Sequence, residues 1–226
     1  MDLLELFKIA DKLYSYSNEK ISFDAKGWPI FKREYFLDEW PQDMVTYVNR
    51  TSHLISSSKD TLLCFYMSDA QIYRRFAKFE RDIPIYKQFK GVVFPDITVT
   101  FDMDKEMQEM IMLINQLFAA ALAANGVKIV FNTRNGSKFT TKYFENIPKQ
   151  VMCASSFLGC NNAKDIFAAT PYINKILDLM PKKLIIYGKH DFVIDSQLDV
   201  LGIDYKYFTD FHTRCKLSYN KERRVS

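Results

Sequence analysis

The 226-residue chain lacks most of the short patterns that announce a chemistry. It has three histidines, His53, His190 and His212, and no H-E-x-x-H pair, which excludes the zinc helix of the metalloproteases. No G-x-S-x-G is present, so the strained turn that presents a nucleophilic serine is missing. Neither G-x-x-x-x-G-K-[ST] nor G-x-G-x-x-G occurs, which removes the common phosphate and dinucleotide loops. Its four cysteines, Cys64, Cys153, Cys160 and Cys215, form no C-x-x-C pair, so neither a zinc knuckle nor a disulfide framework is indicated. Seven Gly and seven Pro exclude collagen-like and linker-rich chains. No internal repeat and no calcium-binding EF-hand loop is found. The longest helix-like apolar stretch, Met110 to Ala124, is interrupted by Asn115 and Gln116 and falls short of the roughly 20 residues of a membrane span. The N-terminal MDLLELFKIADKLYSY has neither a basic leader nor a cleavage motif. A cytoplasmic protein without a membrane partner is therefore expected.

What is present is an ordinary globular balance, with 48% hydrophobic and 26% charged residues. Aromatics reach 15%, with 19 Phe and 13 Tyr, enough to fill a core with rings or to build a stacking surface for bases. The net charge is only +4, and the excess is local. Arg214, Lys216, Lys221, Arg223 and Arg224 crowd the C-terminus against the single acid Glu222. Residues 211–226 read as a solvated basic tail able to contact nucleic-acid phosphates.

A regular alternation organises the rest, read as one α/β domain over residues 1–210. Residues 2–16 form an amphipathic helix packed on it, with Leu3, Leu4, Phe7, Ala10, Leu13 and Tyr14 as its apolar stripe. Asp43 to His53 reads as a short helix. Five short apolar runs follow: TLLCFYM (61–67), GVVFPDI (91–97), GVKIVFN (126–132), QVMCASSF (150–157) and KKLIIYG (182–188). Each has the composition of a strand buried on both faces. Helical patterns fill the gaps, and the spacings match βαβ units. With KISF (20–23) and IDYKYF (203–208), six or seven strands are expected in a mostly parallel sheet. A complete eightfold barrel typically needs about 250 residues, which leaves an incomplete β/α barrel or an open, doubly wound sheet.

In either arrangement ligands bind at the carboxyl ends of the strands. The residues there are Asp69, Asp96, Asn132 with Arg134, Ser155, and Lys189 with His190 and Asp191. Asp96 and Asp69, with Asp191 beside His190, are the candidate acids, bases or catalytic carboxylates. Asn132, Arg134, Ser155 and Lys189 are candidate ligand contacts, the two cations suiting phosphate. Asp96, Asp102 and Asp104 gather three carboxylates in nine residues, a composition that can hold magnesium. Asp102 and Asp104 equally suit the start of the following helix, where they complement its dipole. Asp69 suits the N-cap of AQIYRRF.

Several of these positions carry a resemblance. Asp69, Pro95-Asp96, Asp102-Met103, Ile147-Pro148, Gly159-Cys160 and Tyr187-Gly188 occur in the order found in the domain-of-unknown-function 4417 family. The resemblance covers roughly residues 20–190. That family occurs in bacteriophages, plasmids and other mobile elements, and it implies no defined activity. It carries Asn-Arg in the middle of the long helix, where this chain has Asn115-Gln116. The resemblance implies a setting in replication, host takeover or counter-defence, within the host cytoplasm if phage-encoded. Three functions stay open: a nucleic-acid-associated protein, an enzyme acting on a nucleotide or phosphate-bearing ligand, and an interaction protein that inhibits a host factor.

Overall fold

A computed structural model describes residues 3–17, 19–100, 102–133, 138–156 and 166–225. Its centre is a seven-stranded, wholly parallel sheet: β3 (Asp43–Thr46), β4 (Thr61–Cys64), β5 (Gly91–Val93), β6 (Ile129–Asn132), β7 (Met152–Ser156), β8 (Lys183–Tyr187) and β9 (Asp204–Phe208). The strands lie side by side in chain order. A doubly wound sheet reverses its order at a switch point. This one never does, so the barrel-like alternative is the one realised.

Helices occupy the outer side. They are α1 (Leu3–Ser15), α2 (Asp69–Ala77), α3 (Phe79–Tyr86), α4 (Lys105–Ala124), α5 (Ile166–Leu179), α6 (Phe192–Val200) and α7 (Phe211–Val225). Two apolar clusters flank the sheet. The larger contains Leu63, Phe65, Val92, Phe131, Leu184 and Ile186 beneath the helices. The smaller contains the alternate residues, among them Leu62, Cys64, Val93, Val130, Ile185 and Tyr187, and fills the concave side. Curvature follows from one distance. Tyr66 follows β4 and Tyr187 ends β8, yet their rings stack at 5.4 Å. On a flat sheet, four strand spacings would separate them by about 19 Å. The sheet is therefore curled almost into a barrel.

No β3–β9 backbone pairing is present among the described residues. Side chains bridge this seam instead. The Arg214 guanidinium on α7 forks onto Asp43 of β3, Nη1 to Oδ1 at 2.6 Å and Nη2 to Oδ2 at 2.9 Å. It also donates to the carbonyls of Met44 (3.3 Å) and Leu54 (2.9 Å). Lys206 of β9 reaches the Pro41 carbonyl at 3.3 Å. The amino-terminal end is plugged. Leu37 N–H donates to the Ile129 carbonyl at 2.9 Å, Leu37 enters the inner cluster and Trp40 packs against it.

Four expectations are corrected. Residues 43–46 form the first strand of the main sheet instead of a helix; only Tyr47–Asn49 turn, as a 3-10 segment. The KISF segment contributes β1 (Ser22–Phe23) to a separate antiparallel pair with β2 (Pro29–Ile30). Residues 211–225 are helical, because Asp210 caps α7 through the Thr213 N–H (3.0 Å) and hydroxyl (2.7 Å) and Arg214 anchors it. α1 forms, but its buried residues are Leu6, Ala10 and Leu13, whereas Leu4 and Phe7 are 63% and 48% exposed. α4 is long and apolar enough to cross a membrane by length and composition, and 83% of its most apolar window is buried inside the protein, as in a core helix. Gly126, at φ +79°, ends it in the left-handed region that glycine tolerates.

Candidate functional site

Because all seven strands run the same way, their carboxyl ends share one rim. Asp96, Asn132, Ser155 and Lys189 lie at that rim, but strand parity divides them. Asn132, the last residue of β6, has the same parity as Val130, turns inward and is buried. Its Nδ2 donates to Asp96 Oδ1 at 2.9 Å and to the Pro95 carbonyl at 3.3 Å. Pro95 supplies no N–H, so β5 stops and Asp96 stands half-buried at the mouth. Directly inside lies Cys64, whose thiol is pushed far up by burial and further by the Asp96 carboxylate, against an opposing hydrogen bond from the backbone at Tyr66. A carboxylate oriented by an amide above an apolar lumen is equipped to accept a proton or hold a cation.

Ser155 has the opposite parity. It points outward, and its hydroxyl meets Tyr172 OH of α5 at 2.8 Å. Burial raises the Tyr172 hydroxyl well above its ordinary value, with Ser155 opposing. Lys189 is exposed beyond β8. Asp191 is the N-cap of α6, accepting from Val193 N (3.0 Å) and Ile194 N (3.3 Å). The carboxylate beside His190 is consequently not Asp191 but Asp195, one turn on, at 3.4 Å from Nδ1. Tyr207 of β9 donates to Asp195 Oδ1 at 2.5 Å, and its ring stacks on His190 at 3.8 Å. Burial, then the Asp195 contact, pushes the Tyr207 hydroxyl far up. Sequence reading missed Asp195, Tyr207 and Tyr172. The i, i+4 spacing of Asp191 and Asp195 was the available signal, but nothing local ties either to a tyrosine in β9.

Asp69 leaves the mouth. Ser68, not Asp69, caps α2 through a capping box with Gln71. Asp69 begins the helix, and its Oδ1 accepts from Thr98 N and Thr98 Oγ1, both at 3.1 Å. Among the described residues no group of three His, Cys, Asp or Glu side chains is placed to hold a metal, so the expected Asp96, Asp102 and Asp104 cluster is not assembled. Asp102 is exposed, its carboxyl held below the usual range by a Thr100 hydrogen bond, and Asp104 precedes α4 without a side-chain cap bond. Arg134 lies outside the described residues. Of the basic C-terminal set, Arg214 is consumed by the seam and Lys216 is exposed. Lys221, Arg223 and Arg224 continue α7, with side chains outside the described set.

No curated protein and no solved structure matches the chain. A family model does match, over residues 25–206, which spans the sheet from before β3 into β9 and includes both Asp96 and Asn132. The chain therefore belongs to the family described as domain of unknown function (DUF4417).

Proposed function

We propose that the protein is an enzyme acting on a nucleotide or other phosphate-bearing ligand at the carboxyl-terminal mouth of its barrel. The Asp96–Asn132 hydrogen bond carries this reading: two adjacent strands turn a carboxylate and an amide inward at the end where parallel barrels bind ligands. In it Asp96 is the proton acceptor, or the single carboxylate that shares a magnesium ion with ligand phosphates, a common way of holding that ion. Lys189, exposed just beyond β8, supplies a countercharge.

Thermal melts with nucleoside mono-, di- and triphosphates, with and without magnesium, test it. Ligand at a hundred times its Kd stabilises by about 2.7 kcal/mol. Asp96→Asn keeps an acceptor for Asn132, so its ligand-free melt stays within about 1 kcal/mol of wild type while the ligand-induced shift is lost. An undiminished shift in Asp96→Asn, or no shift with any nucleotide, defeats the reading.

A second reading is nucleic-acid association through α7, in the setting of a mobile element. Its support is a formed helix that exposes Lys216 beside Leu217 (61%) and Tyr219 (59%). DNA affinity that falls steeply with salt supports it, and a flat dependence removes it.

A further inference from the structure

The last two helices of the outer ring leave apolar surface uncovered. α6 carries the most exposed large apolar side chains among the described residues, Val200 at 86% and Phe192 at 83%. Exposed Ser196 lies midway between them, so the three follow one face of the helix at i, i+4 and i+8. An exposed apolar stripe of this kind marks an interaction surface.

Charge restricts what can cover it. α6 and its cap hold Asp191, Asp195 and Asp199, and no Lys, Arg or His. Asp191 meets backbone N–H groups, Asp195 meets Tyr207 and His190, and Asp199 meets the Tyr205 hydroxyl. None of these partners is a lysine or an arginine, so the helix stays acidic. Two copies of α6 laid face to face would set like charges against each other. The covering surface must therefore be apolar and basic. α7 has that character. It exposes Leu217 (61%) and Tyr219 (59%) beside Lys216, which is exposed and has no acidic partner among the described residues. Its sequence adds Lys221, Arg223 and Arg224 against Glu222 alone. α6 and α7 follow β8 and β9, successive strands of a parallel sheet, so they are consecutive around the ring and leave their strands at the same end. One two-fold axis between them lays α6 of one copy on α7 of the other and repeats the contact in reverse. Repetition brings two short helix faces toward the roughly 1,000 Å² that a specific interface needs.

We propose that the protein pairs with a second copy of itself, the acidic apolar face of α6 against the basic apolar face of α7. The pairing does not depend on the nucleotide reading, and it gives α7 a protein partner in place of nucleic acid.

Sedimentation velocity of the full chain, from about 1 to about 200 µM, tests it. A dimer is expected, with a Kd that rises several-fold between about 0.1 and about 1 M salt as the attraction between the helices is screened. Val200→Lys places a cation in the α6 stripe and should raise Kd about tenfold. Lys216→Glu should do the same from the other helix. The double variant restores opposite charges across the contact and should regain most of the lost affinity, a rescue that a folding defect cannot produce. Both positions are exposed, so circular-dichroism melts of all three variants should match wild type. A chain that stays monomeric over the whole range would overturn the proposal. So would a dimer indifferent to Val200→Lys, or a double variant that binds no tighter than the single ones. Association that appears only on adding duplex DNA would overturn it as well, and would assign α7 to nucleic acid.

Discussion

Replacing Arg214 with methionine keeps most of the side-chain bulk and removes every seam contact that the guanidinium makes. Those contacts are a bidentate pair to Asp43 and two hydrogen bonds to the carbonyls of Met44 and Leu54. The two side chains are 22% and 21% exposed, so solvent screens the pair only in part. Breaking a fully buried pair costs about 3–5 kcal/mol, and an exposed one about 0–1. This geometry lies nearer the buried limit, and the two carbonyls also lose a charged donor, so about 2–4 kcal/mol is expected. For a domain this size each kcal/mol moves Tm by about 2–4 °C, giving a fall of roughly 4–16 °C. Scanning calorimetry of Arg214→Met, Asp43→Asn and the double variant measures the effect and the coupling between the two residues. The coupling should be about 1–3 kcal/mol. Arg214→Lys should recover only part, since an ammonium cannot match the fork. A melt within about 1 °C of wild type, together with zero coupling, would show that α7 is dispensable to the barrel and that the seam is held elsewhere.

Three further outcomes are expected. Asp82 is fully buried between Arg75 (2.9 Å) and Arg81 (3.0 Å), so Asp82→Ala strands the Arg75 charge and should lose about 3–5 kcal/mol in urea unfolding. Asp210→Ala removes the α7 cap at a cost of about 0.5–2 kcal/mol near neutral pH. Burial raises the Asp210 carboxyl, but the Thr213 hydrogen bonds outweigh it and leave the group below its ordinary value. A depressed carboxyl stabilises above its unfolded value of about 3.9 and loses that contribution as pH falls through the folded one. The gap between wild type and Asp210→Ala should therefore be full at neutral pH and shrink below about pH 4; a gap that widens in acid contradicts the cap. Gly126→Ala places a side chain at φ +79° in open space, so it should cost about 1 kcal/mol through backbone conformation alone, measured by the same unfolding curves.

The central strands were readable because burial on both faces leaves continuous apolar runs such as Leu62-Leu63-Cys64 and Ile185-Ile186-Tyr187. The same continuity hides which face is inside. No polar residue alternates along β6 or β7 to mark the lumen, so Asn132 and Ser155 looked equivalent although one turns in and the other out. β3 escaped notice because four residues, Asp43 to Thr46, are too few to establish a period, and the 3-10 turn behind them continues a helix-like pattern. The C-terminal segment was misread for another reason. Its composition is that of a solvated tail, and the partner that orders it, Asp43, lies 171 positions away. That Asp69 meets Thr98, and Asp96 meets Asn132, is likewise a matter of three-dimensional neighbours. Rim membership followed from topology; side-chain company did not.

Strand order that follows chain order also dictates how the barrel is put together. Each new strand from β4 to β9 docks beside one already made, so the sheet grows by short steps of low loop-closure entropy. The seam is different: its clasp joins the last element, α7, to the first strand of the sheet across 171 residues. A contact of such long range is expected to form after the rate-limiting step. Arg214→Met should therefore accelerate unfolding while leaving the refolding arm of a chevron almost unmoved, so that the clasp governs how long the native state lasts and not how quickly it is reached.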